Sequence, residues 1–347
     1  MVNRRTFNKV LGLGTGTAAA SLAGLVHPSA ASATARDGAG TPTAAPTSFA
    51  APKQVRAGLL DIGYVEAGPA HGPVVICLHG WPYDIHSFVD VAPLLAARGY
   101  RAIVPHLRGH GTTRFRSART FRNAQQSAVA LDIVALMDAL RIEKAVLTGF
   151  DWGARTADII AALWPERCKA LVSVGGYLVT NLAANLKPLD PTAEHAWWYQ
   201  YYFATERGRQ AMEDPCKRDE LNRLVWETVS PTWDFDDATF ARTAASFDNP
   251  DYAAIVIHNY RWRLSLAEGE RRYDRYEQLL DARPVIEVPA ITLDAELDPF
   301  TASGDGSSYR DRFVGAYDHR TLKGIGHNLP QEAPADFARA VVDADRL

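Results

Sequence analysis

The apolar run 145–148 passes directly into Gly149-Phe150-Asp151-Trp152-Gly153, and a helical pattern over 153–164 follows. A strand that turns into a helix within five residues constrains this chain more than any other feature. The turn must be sharp, so its central residue takes a strained backbone conformation and its neighbours must be small. The side chain of Asp151 is thereby thrust out above the end of a strand. The rest of the chain agrees with such a turn. Runs 74–78, 101–104, 170–174, 289–293 and 319–322 read as strands. The stretches 85–98, 121–140 and 334–344 read as helices, with apolar residues of 121–140 at helical spacing. This alternation predicts an α/β protein with a mostly parallel sheet and helices on both faces.

The alternation stops between about 180 and 283. That segment holds helical stretches, no strand ladder, and five of the chain's eight tryptophans: Trp197, Trp198, Trp226, Trp233 and Trp262. It therefore has its own apolar demand, and we read it as a helical cap (180–283) inserted into a core formed by 53–179 and 284–347. No repeats are seen. At the start, Arg4 and Arg5 precede a charge-free, glycine-diluted apolar stretch that ends in small residues near 31–35. Residues 1–35 resemble a twin-arginine export signal, and 36–52 a flexible leader. Export to a secreted or periplasmic location, without stable membrane insertion, is the expectation.

Composition excludes several classes. The formal net charge of −3 leaves no basic excess to neutralise phosphates, so no nucleic-acid partner is expected. An apolar content of 47% is that of an ordinary folded chain. Three scattered cysteines (Cys77, Cys168, Cys216) supply neither a disulfide framework nor a zinc site, and no metal or cofactor is expected.

Two further pieces stand where Asp151 needs them. Asp298 follows the strand 290–293, with Asp294 and Glu296 as alternatives. His327, in Gly326-His327-Asn328, follows the last strand, whereas His195 and His258 fall in the cap. A third piece, His79-Gly80-Trp81-Pro82, comes directly after the strand 74–78. There His79 is expected to brace the loop, and the Trp81–Pro82 bond is a candidate for the cis form.

Taken together, His79-Gly80-Trp81-Pro82, the Gly149–Gly153 turn with Asp at its centre, Asp298 and Gly326-His327 resemble the soluble epoxide hydrolases of the α/β-hydrolase fold. Haloalkane and fluoroacetate dehalogenases share the frame. The resemblance runs from about Leu60 to the C-terminus. It implies Asp151 as nucleophile, Asp298 as the acid and His327 as the histidine, with the backbone amides of Trp81 and Trp152 as oxyanion hole. A carboxylate is already ionised at neutral pH and suits displacement at a saturated carbon, giving an alkyl ester of Asp151 that water then hydrolyses.

The leaving group separates the relatives. An epoxide oxygen needs an acid, and a tyrosine, with a pKa of about 10, can supply a proton at neutral pH. Epoxide hydrolases carry two cap tyrosines. Tyr199-Gln200-Tyr201-Tyr202-Phe203 and Tyr260-Arg261 match their contexts, so Tyr199 and Tyr260 are the expected donors. In a helix, Tyr199, Tyr202 and Phe203 share one face and Tyr201 points elsewhere. Trp81, Trp152, Tyr202 and Phe203 are the expected substrate-binding residues. Haloalkane dehalogenases usually place asparagine where Trp81 stands; fluoroacetate dehalogenases, which match at Arg155, place arginine where Trp152 stands, and the loss of that half of a carboxylate clamp argues against a small anionic substrate. The expectation is an epoxide hydrolase producing a vicinal diol from a small hydrophobic epoxide and water, as a monomer or homodimer. A dehalogenase with the same three residues is the alternative, and an inactive binding protein of the same fold is the second.

Overall fold

The computed structural model describes residues 48–300 and 304–347. The proposed export segment 1–35, and the leader as far as residue 47, lie outside the described residues. Among the described residues nine strands form one sheet: β1 (Lys53–Ala57), β2 (Leu60–Ala67), β3 (Val74–Leu78), β4 (Arg101–Pro105), β5 (Arg114–Phe115), β6 (Ala145–Gly149), β7 (Cys168–Val174), β8 (Ala290–Ala295) and β9 (Tyr317–Leu322). Their order is β1-β2-β4-β3-β6-β7-β8-β9, with β5 attached to β2. From β4 through β9 every pairing on that path is parallel, while β1, β2 and β5 join antiparallel.

The expected parallel strands are all present; strands covered on both faces read as unbroken apolar runs, as in β6, every residue of which is buried, whereas the edge strand β9 is only half-buried. The antiparallel edge was not foreseen. β1 is mostly exposed and β2 carries Asp61 and Gly63, so neither shows such a run.

Two helices differ from expectation. The stretch 85–98 forms a short 3₁₀ turn, Ile85–Phe88, and a separate helix, Val91–Ala96. One continuous helix would place Pro93 in its interior, where it has no N–H to donate; starting at Val91 puts it in the first turn instead. The stretch 121–140 becomes helical only at Gln126. The residues before it are not helical; the Asn123 carbonyl and side chain both accept from the Arg108 guanidinium, at 2.7 and 2.6 Å.

In the described residues every regular element of the insertion is a helix, from Leu182–Asn185 to Asp274–Asp281. It packs its aromatic side chains over the ends of the strands. Trp226, on the helix Pro215–Val229, stacks on Tyr83 at 4.8 Å and donates its indole N–H to the Pro82 carbonyl at 2.8 Å. In an open parallel sheet, the crevice outside the carboxyl ends of the strands is where ligands bind. Here that crevice lies under the cap. None of the described helices is long and apolar enough to cross a membrane.

Candidate active site

β3 and β6 pair in register, Cys77 with Thr148 and Leu78 with Gly149, so the loop after β3 and the turn after β6 emerge side by side. The turn is as tight as its glycines require. A Cβ on Gly153 would lie 1.9 Å from the Leu78 carbonyl oxygen, and one on Gly149 2.6 Å from the Gly153 carbonyl carbon. Asp151 sits between them at φ 51°, ψ −121°, a conformation L-residues rarely adopt. The helix Trp152–Leu163 starts immediately behind it.

The Trp81 backbone N–H donates to Asp151 Oδ1 at 2.8 Å, as one half of the expected oxyanion hole. The Trp81–Pro82 bond is cis. The Trp152 amide begins the helix and, among the described residues, makes no hydrogen bond to the Asp151 carboxylate. His79 braces the loop as expected. It is fully buried, pairs through Nδ1 with the Gly80 carbonyl at 2.9 Å, and accepts at Nε2 from the Leu107 amide at 3.1 Å. Burial, and then the neighbouring His110, hold its pKa well below the ordinary value, so it stays neutral.

His327 Nδ1 lies 2.8 Å from Asp298 Oδ2, and its Nε2 faces Asp151 Oδ2 at 3.9 Å. Among the described residues Nε2 has no hydrogen-bond partner; it is an acceptor in the neutral imidazole with the proton on Nδ1 and a donor in the imidazolium. Asp294 and Glu296 do not compete for this role. Asp294 accepts from the Tyr309 hydroxyl at 2.9 Å, and Glu296 from the Gly324 amide at 2.8 Å. His195 and His258 belong to cap helices, and His258 is spent on the Ala124 amide and the Glu268 carbonyl. Burial works against a charged His327, but the Asp298 carboxylate and then Asp151 outweigh it and push the imidazole up to about 9.

The histidine loop hangs from the cap. The His327 amide donates to the Val229 carbonyl (3.0 Å) and to Ser230 Oγ (3.1 Å), and that hydroxyl in turn donates to Glu332 at 2.7 Å. Ser230 carried no signal in the sequence.

Above the carboxylate, Tyr199 and Tyr260 meet edge to face at 5.2 Å, each 5.1–5.2 Å from the Trp81 ring. Both are buried. Burial raises both phenols above their ordinary pKa; the Asp151 charge adds to this at Tyr199, as do Tyr199 and then Asp151 at Tyr260. They therefore remain protonated donors. As the helical reading required, Tyr199 and Phe203 are buried on the helix Trp198–Ala204 while Tyr201 is exposed.

A cavity of about 50 Å³ opens against Asp151, Asp298 and His327. Its remaining wall differs from expectation: Tyr199 lines it, but Tyr260 and the expected binding residues Trp81, Trp152, Tyr202 and Phe203 do not. Phe203 is fully buried behind the front layer, packed on Trp81 at 5.5 Å and on Tyr260 at 5.4 Å. Tyr202 packs on Trp198 at 6.0 Å. Trp197, Phe300, Arg155 and Arg263 stand in the wall instead. None of the four was an expected binding residue, and only Arg155, four residues after Asp151, had a position from which its direction could be read.

Residues 73–329 match the model of the alpha/beta hydrolase fold family. Epoxide hydrolase B of Mycobacterium tuberculosis is 33% identical over 251 residues, covering 69% of this chain and 67% of its own. A crystal structure of a protein provisionally assigned as an epoxide hydrolase, from Klebsiella pneumoniae, superimposes with a TM-score of 0.83 at 57% identity, covering 85% of this chain and 97% of that one.

Proposed function

This chain belongs to the α/β-hydrolase family as an epoxide hydrolase, and we propose that it opens the ring on Asp151 in two steps. The observation that carries this reading is the Asp151 carboxylate itself, one oxygen on the Trp81 amide and the other facing an unsatisfied imidazole nitrogen.

In the first step an Asp151 oxygen bonds to a ring carbon as the carbon–oxygen bond breaks, and Tyr199 or Tyr260 gives its proton to the departing oxygen. The product is an alkyl ester of Asp151 and a tyrosinate. Ester formation removes the Asp151 charge, which is one of the three, with Asp298 and Glu332, that hold the His327 pKa high. His327 can then release its proton, which restores the phenol, and becomes a base at the moment one is needed.

In the second step neutral His327 takes a proton from water, and the hydroxide attacks Cγ of Asp151. Charge gathers on the enzyme's own carbonyl oxygen, against the Trp81 amide. Collapse breaks the bond between Cγ and the alkyl oxygen, His327 protonates that oxygen, and the diol leaves. The Asp151 carboxylic acid then returns its proton to His327. Asp298 orients and stabilises the imidazolium throughout.

A single turnover of styrene oxide in ¹⁸O-water tests the scheme. The heavy atom is expected in the protein, on the Asp151 peptide. Label found in the diol alone would overturn ester formation. Bromide release from a bromoalkane, without diol from styrene oxide, would favour the dehalogenase reading. The adjacent Arg4-Arg5 pair and the apolar stretch after it also support export. Replacing both arginines with lysine is expected to retain the protein inside the cell, and undiminished export would remove this reading.

A further inference from the structure

We propose that Arg155 and Arg263 form an anion subsite, and that the preferred substrates are short epoxides bearing a carboxylate beside the ring. This rests on the epoxide reading above. Both guanidiniums line the same small cavity as Asp151 and His327. Both arginines are more than nine-tenths buried, at 8% and 6% exposure. A buried cation ordinarily finds a carboxylate. This protein shows what that looks like at Arg108, whose guanidinium grips Asp132 with two bonds of 2.6 and 2.8 Å and fills its remaining donors with carbonyls and Asn123.

Nothing comparable holds the cavity pair. Arg155 donates Nε to the Leu178 carbonyl at 3.1 Å and, among the described residues, forms no ion pair. Arg263 Nε is buried without a partner among the described residues, and its guanidinium carbon lies over aromatic rings, 4.9 Å from the centre of Trp197 and 5.9 Å from that of Tyr260. The nearby acids are otherwise engaged: Asp151 on the Trp81 amide, Asp298 on His327, and Asp158 on the Leu178 amide at 2.7 Å. Two like charges thus share a buried space with donors to spare. Burial and the neighbouring Arg263 bring the Arg155 pKa down to about 10, the cost of that arrangement while no anion is bound.

Placement suits a clamp. Arg155 lies one helical turn beyond Asp151 on the core, its amide bonded to the Asp151 carbonyl at 3.0 Å. Arg263 ends the cap helix Tyr252–Arg263, three residues after Tyr260. A carboxylate held between them would tie cap to core and offset its own repulsion of the attacking Asp151. The cavity volume of about 50 Å³ favours a short molecule over an aryl or polycyclic one.

The test compares oxirane-2-carboxylate with the near-isosteric neutral oxirane-2-carboxamide. Wild type is expected to prefer the acid in kcat/KM by at least about 10-fold, and Arg263→Met to shrink the acid-to-amide ratio by roughly 10–100-fold. Arg263→Lys is expected to keep part of the preference. Should Arg263→Met not fold, propionate inhibition of amide turnover by wild type stands in; competition is expected. A wild-type ratio near one, a ratio unchanged in Arg263→Met, or indifference to propionate overturns the subsite alone. Absence of diol from both substrates overturns the epoxide reading and this inference with it.

Discussion

The floor and the roof of the site are built on different principles. The floor is set by backbone. Asp151 is fixed by a turn that only glycine neighbours permit, Trp81 contributes a main-chain amide, and Asp298 and His327 follow β8 and β9. The roof is set by side chains on helices. Tyr199 and Arg263 line the cavity, and Tyr260 packs against Tyr199, only because the cap packs as it does. On the proposed scheme the floor does one chemistry, while the roof chooses the leaving group and the substrate.

Substitutions can break that contrast, and the floor should be hurt most. Asp151→Asn is expected to lower turnover by roughly 100,000-fold or more while leaving the melting curve nearly unchanged, because an amide cannot displace the ring oxygen. Diol assays made soon after purification, before deamidation restores aspartate, check this; a substantial residual rate would mean another nucleophile.

The roof comes next. Tyr199→Phe combined with Tyr260→Phe is expected to slow epoxide opening by about 100–10,000-fold, and bromide release from a bromoalkane far less. Equal losses for both substrates would remove the tyrosines from proton donation and blur the division between the halves.

A third measurement concerns pH. His327 carries a folded pKa of about 9 against an ordinary value of 6.5. Its raised pKa stabilises the free enzyme fully below pH 6.5, and that contribution fades as pH rises through about 9. In the ester, with the Asp151 charge gone, the same imidazole is less basic, and hydrolysis needs its neutral form. Acid should therefore stabilise the resting protein and yet let the ester accumulate, which quench-flow mass spectrometry at pH 5 and 8 would reveal. Ester levels that do not depend on pH would show that His327 is not the base.

The smallest effect lies at the seam. Trp226→Phe removes the indole bond to the Pro82 carbonyl and leaves that buried acceptor unpaired. A loss of about 1–3 kcal/mol is expected in urea unfolding. No change would mean that the cap and the β3 loop are not mechanically joined there.

The same division explains what could be read from the sequence. Asp151, His327 and Trp81 stand at fixed offsets from apolar strands, and backbone geometry then dictates where they point. Asp294 and Glu296 could be separated from Asp298 only in three dimensions, by what each accepts: Tyr309, Gly324 or His327. On the roof, helical periodicity placed Tyr199 and Phe203 inward and Tyr201 outward, yet could not tell a residue lining the cavity from one behind it. Phe203 is the example, packed against the back of Trp81. Arg263 gave no sign, since an arginine near the end of a helix is ordinarily solvated or satisfies its carbonyls. Pro93 was visible all along and marks where the apolar pattern of 85–98 misled.

The suspension of the His327 amide from Val229 and Ser230 carries a cost for anyone wishing to exchange cap domains. A graft cut cleanly at the ends of the insertion would deliver a new ceiling and drop the proton acceptor from its hook. The transplant must bring along a hydroxyl at position 230 and the carbonyl before it, or the recipient will form esters it cannot clear.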